Sequence, residues 1–211
     1  LLVSAHVREI VQRVRGGELG ELSLVEIECD KWDLINAGIH WLNFFVTLVG
    51  DDPVVDVLCA CDTSTRTYRD GMQVETVGVT YVQTRGGVRC VMQTGDHVTT
   101  KREGKSMMFR LLGTQGHLEF WAFENAYILV NEKHPTGKLI QPQQNPTVGH
   151  RAHLENMAAQ MDANAPDYTI ADSSLRALEV VEAAYLSHRH RCLVTLPLQS
   201  FEPPAVDHWD P

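Results

Sequence analysis

The chain has 211 residues, 44% of them hydrophobic and 21% charged, with a formal charge of −9. This composition excludes intrinsic disorder, which needs low hydrophobicity with high net charge. The acidic balance argues against a nucleic-acid partner, since phosphate binding wants a basic face. Arg66, Arg69, Lys101, Arg102, Lys105, Arg189 and Arg191 are spread along the chain rather than clustered.

The first predicted element is a helix, with Val3, Val7, Ile10, Val11 and Val14 at helical spacing and Gly16-Gly17 to end it. Residues 22–29 read as a strand with one wet face, because Val25, Ile27 and Cys29 alternate with Glu26 and Glu28. Asp33 caps a second helix that runs to Gly50 and is apolar enough to be buried nearly all round. Short β-rich runs follow at 54–60, 73–84, 88–94, 107–112, 117–123 and 127–130, joined by tight turns, which predicts an antiparallel sheet. Residues 133–149, with three prolines, are expected to be loop. Two helices at 151–162 and 172–188 come next, the second capped by Asp172, and a short strand at 192–196 closes the order. Strands segregated from helices predict an α+β fold, a largely antiparallel sheet with helices on one face. Residues 1–198 are expected to form one domain and 199–211 a Pro-rich tail.

No apolar run is long and uninterrupted enough for a membrane span, since 35–49 is broken by Asn36, His40 and Asn43. Cys29, Cys59, Cys61, Cys90 and Cys192 contain no CxxC pair and lie mostly in apolar or alternating runs. Neither a disulfide framework nor a zinc knuckle is expected, and the compartment reads as reducing and cytoplasmic. No signal peptide is visible, and a first residue other than Met suggests a fragment.

No phosphate-binding glycine fingerprint, GxSxG elbow or HExxH occurs. The pairs His150/His153 and His188/His190 lack a third ligand at metal spacing, so no metal is expected. The informative feature is a polar line on the apolar helix: Asn36, His40 and Asn43 are spaced i, i+4, i+7, and Asp33 extends the line backwards. Such groups are costly in hydrocarbon unless partnered. His40 is either a cleft-wall acid/base or a core histidine tied to Asn36 or a carbonyl. The segment 65–71, with Arg66 and Tyr68, is either a binding loop or a solvated hairpin.

Gly17-Glu18-Leu19-Gly20-Glu21 ahead of a strand resembles the GxLGE step of the Gfo/Idh/MocA oxidoreductases. The run 36–43, Asn-Ala-Gly-Ile-His-Trp-Leu-Asn, resembles the family's D-x-G-x-H-x-x-D segment, with Asn36 and Asn43 where the family usually has Asp. Residues 155–198 resemble its closing helices and last strand. The resemblance implies the C-terminal α+β domain of a two-domain enzyme, glyceraldehyde-3-phosphate-dehydrogenase-like in fold. Its NAD or NADP would be held by a Rossmann domain outside this chain. It implies that His40 touches the substrate hydroxyl, with Asn36 at the partner position. Asp33 and Asn43 on the same polar line, and Arg66 and Tyr68 from the loop, are the further expected substrate contacts. Asn36 carries no charge and cannot raise the imidazole's basicity as a carboxylate would.

The expected function is the substrate-binding half of a dehydrogenase acting on a sugar, inositol or related polyol, inactive on its own. Two alternatives stay open. One is a non-catalytic module that oligomerises through the sheet, because Val77, Val79 and Tyr81 alternate with Thr76, Gly78 and Thr80. The other is an NAD-dependent glycosidase of the same family.

Overall fold

Alternation and glycine placement dictate most of the architecture. The computed structural model describes residues 1–98, 100 and 105–204. Lys101 and Arg102, and the tail from residue 205, lie outside the described residues. The chain runs α1 (Ala5–Arg15), β1 (Leu22–Asp30), a π-helical turn (Leu34–Gly38), α2 (Ile39–Val49), β2 (Val54–Asp62), β3 (Thr67–Arg69) and β4 (Met72–Val74). Then come β5 (Val77–Thr84), β6 (Arg89–Gly95), β7 (Met107–Gly113), β8 (Gly116–Trp121), β9 (Tyr127–Asn131), β10 (His134–Ile140), α3 (Gly149–Asp162), α4 (Thr169–His190) and β11 (Val194–Thr195).

Nine strands form one sheet in the order β10-β9-β8-β7-β1-β6-β5-β2-β11. All neighbours are antiparallel except the central pair β1 and β6. Strands β3 and β4 make a separate hairpin. The fold is α+β, as the segregation of strands and helices predicts.

Period-2 alternation splits the sheet into two faces. Val25, Ile27 and Cys29 turn inward with Phe109, Leu111, Leu118 and Phe120, and the helices cover them. Phe44 of α2 meets Phe109 and Phe120 edge-on at 5.4 and 5.5 Å, and Trp41 meets Phe109 at 5.6 Å. The other face is open. One row across it follows the register Leu58, Tyr81, Val91, Glu26, Arg110, Glu119, Ile128, Leu139. Arg110 sits between Glu26 and Glu119, 3.3 Å from each, and the flanks are exposed hydrocarbon.

Several boundaries depart from the expectation. The run 73–84 is not one strand: it breaks at Glu75 and Thr76, because Glu75 is drawn inward to accept bonds from Leu34 and Tyr185. Gly95 faces this break at φ +126, and a Cβ there would fall 2.2 Å from the Thr76 carbonyl. The expected loop at 133–149 contains strand β10. Pro135 is tolerated because β10 is an edge strand and its register shifts between His134 and Lys138. Helix α4 starts before Asp172, since the Asp167 carboxylate already accepts the Thr169 amide at 2.9 Å. The closing strand shortens to two residues. Helix α3 buries none of its side chains, so its apolar stripe of Leu154, Met157 and Met161 is exposed.

His6 in α1 is 3% exposed, edge-on to Phe120, and among the described residues its Nε2 has no hydrogen-bond partner. Burial lowers its pKa from the ordinary value. The folded state therefore resists a proton that the unfolded chain accepts below about pH 6.5. Stability is expected to fall as pH drops through that value, by at most about 1.4 kcal/mol per pH unit from this group. Urea titrations across this range should show a flatter profile for His6→Leu; equal slopes for the two proteins would refute the assignment.

Candidate functional site

Helix α2 and the turn before it carry the candidate groups, and the turn has a specific cause. The Asp33 carbonyl accepts both the Ala37 and the Gly38 amides, at 3.2 and 3.0 Å, which inserts one extra residue into the first turn. Such π-turns are frequent at functional sites. Gly38 allows the turn to lie on the sheet: a Cβ there would fall 2.9 Å from Leu34 and 3.1 Å from Met92. The Asp33 carboxylate caps the turn, accepting the Asn36 backbone amide at 2.8 Å and its side-chain amide at 3.1 Å.

The amides of the polar line have separate partners. Asn36 is held back against Asp33. Asn43 donates to Ser174 of α4 at 3.0 Å, an inter-helix contact. His40 is exposed in the first turn of α2. Its ring meets Trp41 edge-on at 6.3 Å. Trp41 is 4% exposed, packed on Phe109 and Phe123, with its indole N–H on Cys29 Sγ at 3.1 Å. A rigid indole thus backs a solvent-facing imidazole. The His40 pKa is lowered, first by partial burial and then by nearby His150. The ring is therefore neutral at pH 7, with one nitrogen able to donate and the other to accept.

Below the turn lies a buried polar cluster. Asp33 has no exposed surface, and Arg69 Nε reaches its carboxylate at 3.9 Å while also donating to the Lys31 carbonyl at 3.0 Å. Arg69 also pairs with Asp96. Glu75, 2% exposed, accepts the Leu34 amide at 2.6 Å and the Tyr185 hydroxyl at 3.0 Å. Burial and the Glu75 carboxylate push the Tyr185 pKa up, so the phenol stays a donor.

The segment 65–71 is a hairpin, turning at Asp70 and Gly71 with φ of 49° and 81°. Its parity decides which side chains matter. Thr67 and Arg69 turn inward, Thr67 meeting Thr76 at 2.7 Å, while Arg66 and Tyr68 face solvent. The sequence reading selects the outward pair and misses Arg69 and Glu75. Alternation in the run Arg66-Thr67-Tyr68-Arg69 carries the parity signal, but not which parity is buried.

The helix that follows β1 offers no open phosphate site. A phosphate wants free amides at a helix N-terminus. At the helix that follows β1, the Asp33 carboxylate already occupies the Asn36 amide and places negative charge there. Among the described residues no group of three or more His, Cys, Asp or Glu is placed to hold a metal, and no helix is long and apolar enough to cross a membrane.

Comparison with known proteins agrees with the fold. An aldose-aldose oxidoreductase from Caulobacter crescentus, complexed with glycerol, superposes with a TM-score of 0.76 at 20% identity, covering 92% of this chain and 62% of that one. An oxidoreductase from Agrobacterium radiobacter in complex with NAD+, L-tartaric acid and magnesium gives 0.70 at 14% identity, covering 92% and 63%. An NAD binding oxidoreductase from Klebsiella pneumoniae gives 0.74 at 15%, covering 92% and 64%. The chain thus spans less than two thirds of each of these structures. No curated protein matches it in sequence. Residues 12–196 match the family model described as oxidoreductase family, C-terminal alpha/beta domain, and the chain belongs to that Gfo/Idh/MocA family.

Proposed function

We propose that the chain is the substrate-binding half of an NAD(P)-dependent oxidoreductase acting on a sugar, an inositol or a related polyol. The observation that carries this reading is His40, a neutral imidazole exposed on an otherwise buried helix and backed by Trp41. Such a ring accepts the proton of a substrate hydroxyl when the carbon is oxidised and returns it in the reverse direction. Asn36, fixed by Asp33, stands in the turn before it and orients the same hydroxyl without adding charge. Asn43 serves the α2–α4 contact, and Arg66 and Tyr68 stand outside the core of the proposal. The nicotinamide, NAD or NADP, supplies the hydride acceptor and belongs to the portion of a longer protein that this chain lacks. Relatives holding NAD+ and glycerol support both classes of ligand. Five free cysteines suit the reducing, cytoplasmic setting included in the proposal.

The test is an assay of the full-length protein with NAD and NADP against a panel of sugars, inositols and other polyols. A polyol-dependent change in nicotinamide absorbance is expected, and none from this chain alone. A cleaved glycoside without net cofactor turnover would favour the glycosidase reading instead.

The open sheet face motivates a second reading, compatible with the first: two copies pair through it. Leu58, Val79, Val91, Ile128 and Leu139 are exposed there around the Glu26–Arg110–Glu119 centre. Sedimentation at high micromolar concentration should give a species larger than a monomer. Lysines at Val79 and Val91 should dissolve it, and a clean monomer for the unmodified chain counts against pairing.

A further inference from the structure

A cavity of about 450 Å³ opens between β4, the end of β2 and the C-terminal half of α4. Its volume lies in the range of small-molecule sites. Ile35, Met72 and Val74 give it hydrocarbon walls, while Glu75, Tyr185 and His188 give it polar ones. Glu75 is the unusual member. It is 2% exposed, and its carboxylate accepts the Leu34 amide at 2.6 Å and the Tyr185 hydroxyl at 3.0 Å, both neutral donors. A carboxylate has about four acceptor positions, so two are left over. Among the described residues no cation pairs with it, and Arg69 of β3 is engaged by Asp33 and Asp96. His188 accepts the Cys61 amide on Nδ1 at 3.1 Å, which requires that nitrogen to be unprotonated, so this ring brings no charge either. Burial first and the Glu75 charge second push the Tyr185 phenol up, so it stays neutral. The cavity thus joins apolar walls to one buried negative charge without a counter-charge, a costly arrangement on its own.

We propose that this cavity binds a small primary alkylammonium compound, its ammonium on the Glu75 carboxylate and its carbon chain against Ile35, Met72 and Val74. Charge and wall chemistry decide the class together. An anion would meet a like charge, and a hydrocarbon would leave the carboxylate unpaired. A hydrated inorganic cation would exchange its water for hydrocarbon walls. An alcohol donates one hydrogen bond and brings no charge. An ammonium donates three, enough for the two open positions on Glu75 and one to the Tyr185 oxygen, and charge-assisted bonds of this kind are roughly twice as strong as neutral ones. The proposal uses none of the residues assigned to the polyol and does not depend on the oxidoreductase reading.

The experiment is calorimetric titration of the chain with hexylammonium chloride, and with 1-hexanol and sodium hexanoate as the neutral and anionic counterparts. Hexylammonium is expected to bind with a Kd of about 1 mM or tighter. The alcohol should bind at least about tenfold more weakly, the usual worth of a charge-assisted hydrogen bond, and hexanoate not at all. Two variants locate the site. Glu75→Gln keeps an acceptor for the Leu34 amide and removes the charge, and should weaken hexylammonium by about tenfold or more while leaving the alcohol unchanged. Diffuse attraction to an acidic chain cannot mimic this, because the formal charge moves only from −9 to −8. Met72→Trp, at a wall position 45% exposed, should close the cavity to both ligands with the circular dichroism spectrum preserved. If Glu75→Gln does not fold, Met72→Trp decides alone. No hexylammonium binding, equal affinity for the amine and the alcohol, or undiminished amine binding in either variant once folded would each overturn the proposal.

Discussion

His40→Ala in the full-length protein is expected to lower turnover by about 10²- to 10⁴-fold, the usual worth of a positioned acid/base group. The thermal midpoint should hardly move, because the ring is exposed and its only ring contact shown is with Trp41. The pH profile gives an independent readout. A base whose pKa is lowered in the folded protein loses function only when it is protonated. The acid limb of kcat/KM should therefore lie below about pH 6.5 and vanish in the variant. Asn36→Asp sharpens the assignment: a carboxylate one turn away would favour the imidazolium and move that limb upward. Unchanged turnover of His40→Ala across the polyol panel would end the acid/base reading of this helix.

The sequence carried the fold further than the site. Strands such as β1 announce themselves because Val25, Ile27 and Cys29 bury one face while Glu26 and Glu28 wet the other. The apolar excess of α2 likewise forecasts a helix driven into the core, and Asp33 and Gly50 mark its limits. What residue spacing did not carry was the form of the turn before α2 and the partners of its polar groups. An i, i+4, i+7 pattern assumes 3.6 residues per turn, and the π-turn at Leu34–Gly38 adds a residue just where Asn36 sits. The bonds that create it, two amides on one Asp33 carbonyl, leave no mark in residue identity. Asn36 bonds Asp33 and Asn43 bonds Ser174, partners that spacing alone does not name.

Long-range pairing was equally silent. Glu75 lies 41 residues from Leu34 and 110 from Tyr185, and a lone Glu inside the β-rich run 73–84 reads as one more strand residue. Arg69 shares its segment with Arg66, and only the side of the hairpin that meets the turn separates a structural guanidinium from a solvated one. The edge strand β10 shows the opposite error. Its Pro135 argues for loop, yet an edge strand has amides with no partner to lose.

Asp33→Ala is expected to destabilise the chain by about 3–5 kcal/mol, since it leaves a mostly buried guanidinium without one of its two carboxylates. Asp33 is wholly buried, accepts two hydrogen bonds from Asn36 and faces Arg69 at 3.9 Å. Asp33→Asn keeps an acceptor for the Asn36 amide and loses only the charge, so its cost should be smaller, about 1–3 kcal/mol. Urea unfolding followed by circular dichroism gives both values. The cause can be isolated by a double-mutant cycle. Arg69→Met removes the stranded charge, so adding it to Asp33→Ala should cost less than the two single changes summed. If the costs simply add, Asp33 acts as a helix cap alone and the hairpin is not tied electrostatically to the turn. If Asp33→Ala stays within about 1 kcal/mol of the wild type, the cluster is not what fixes the turn that presents His40, and the rigidity assigned to that imidazole must come from Trp41 alone.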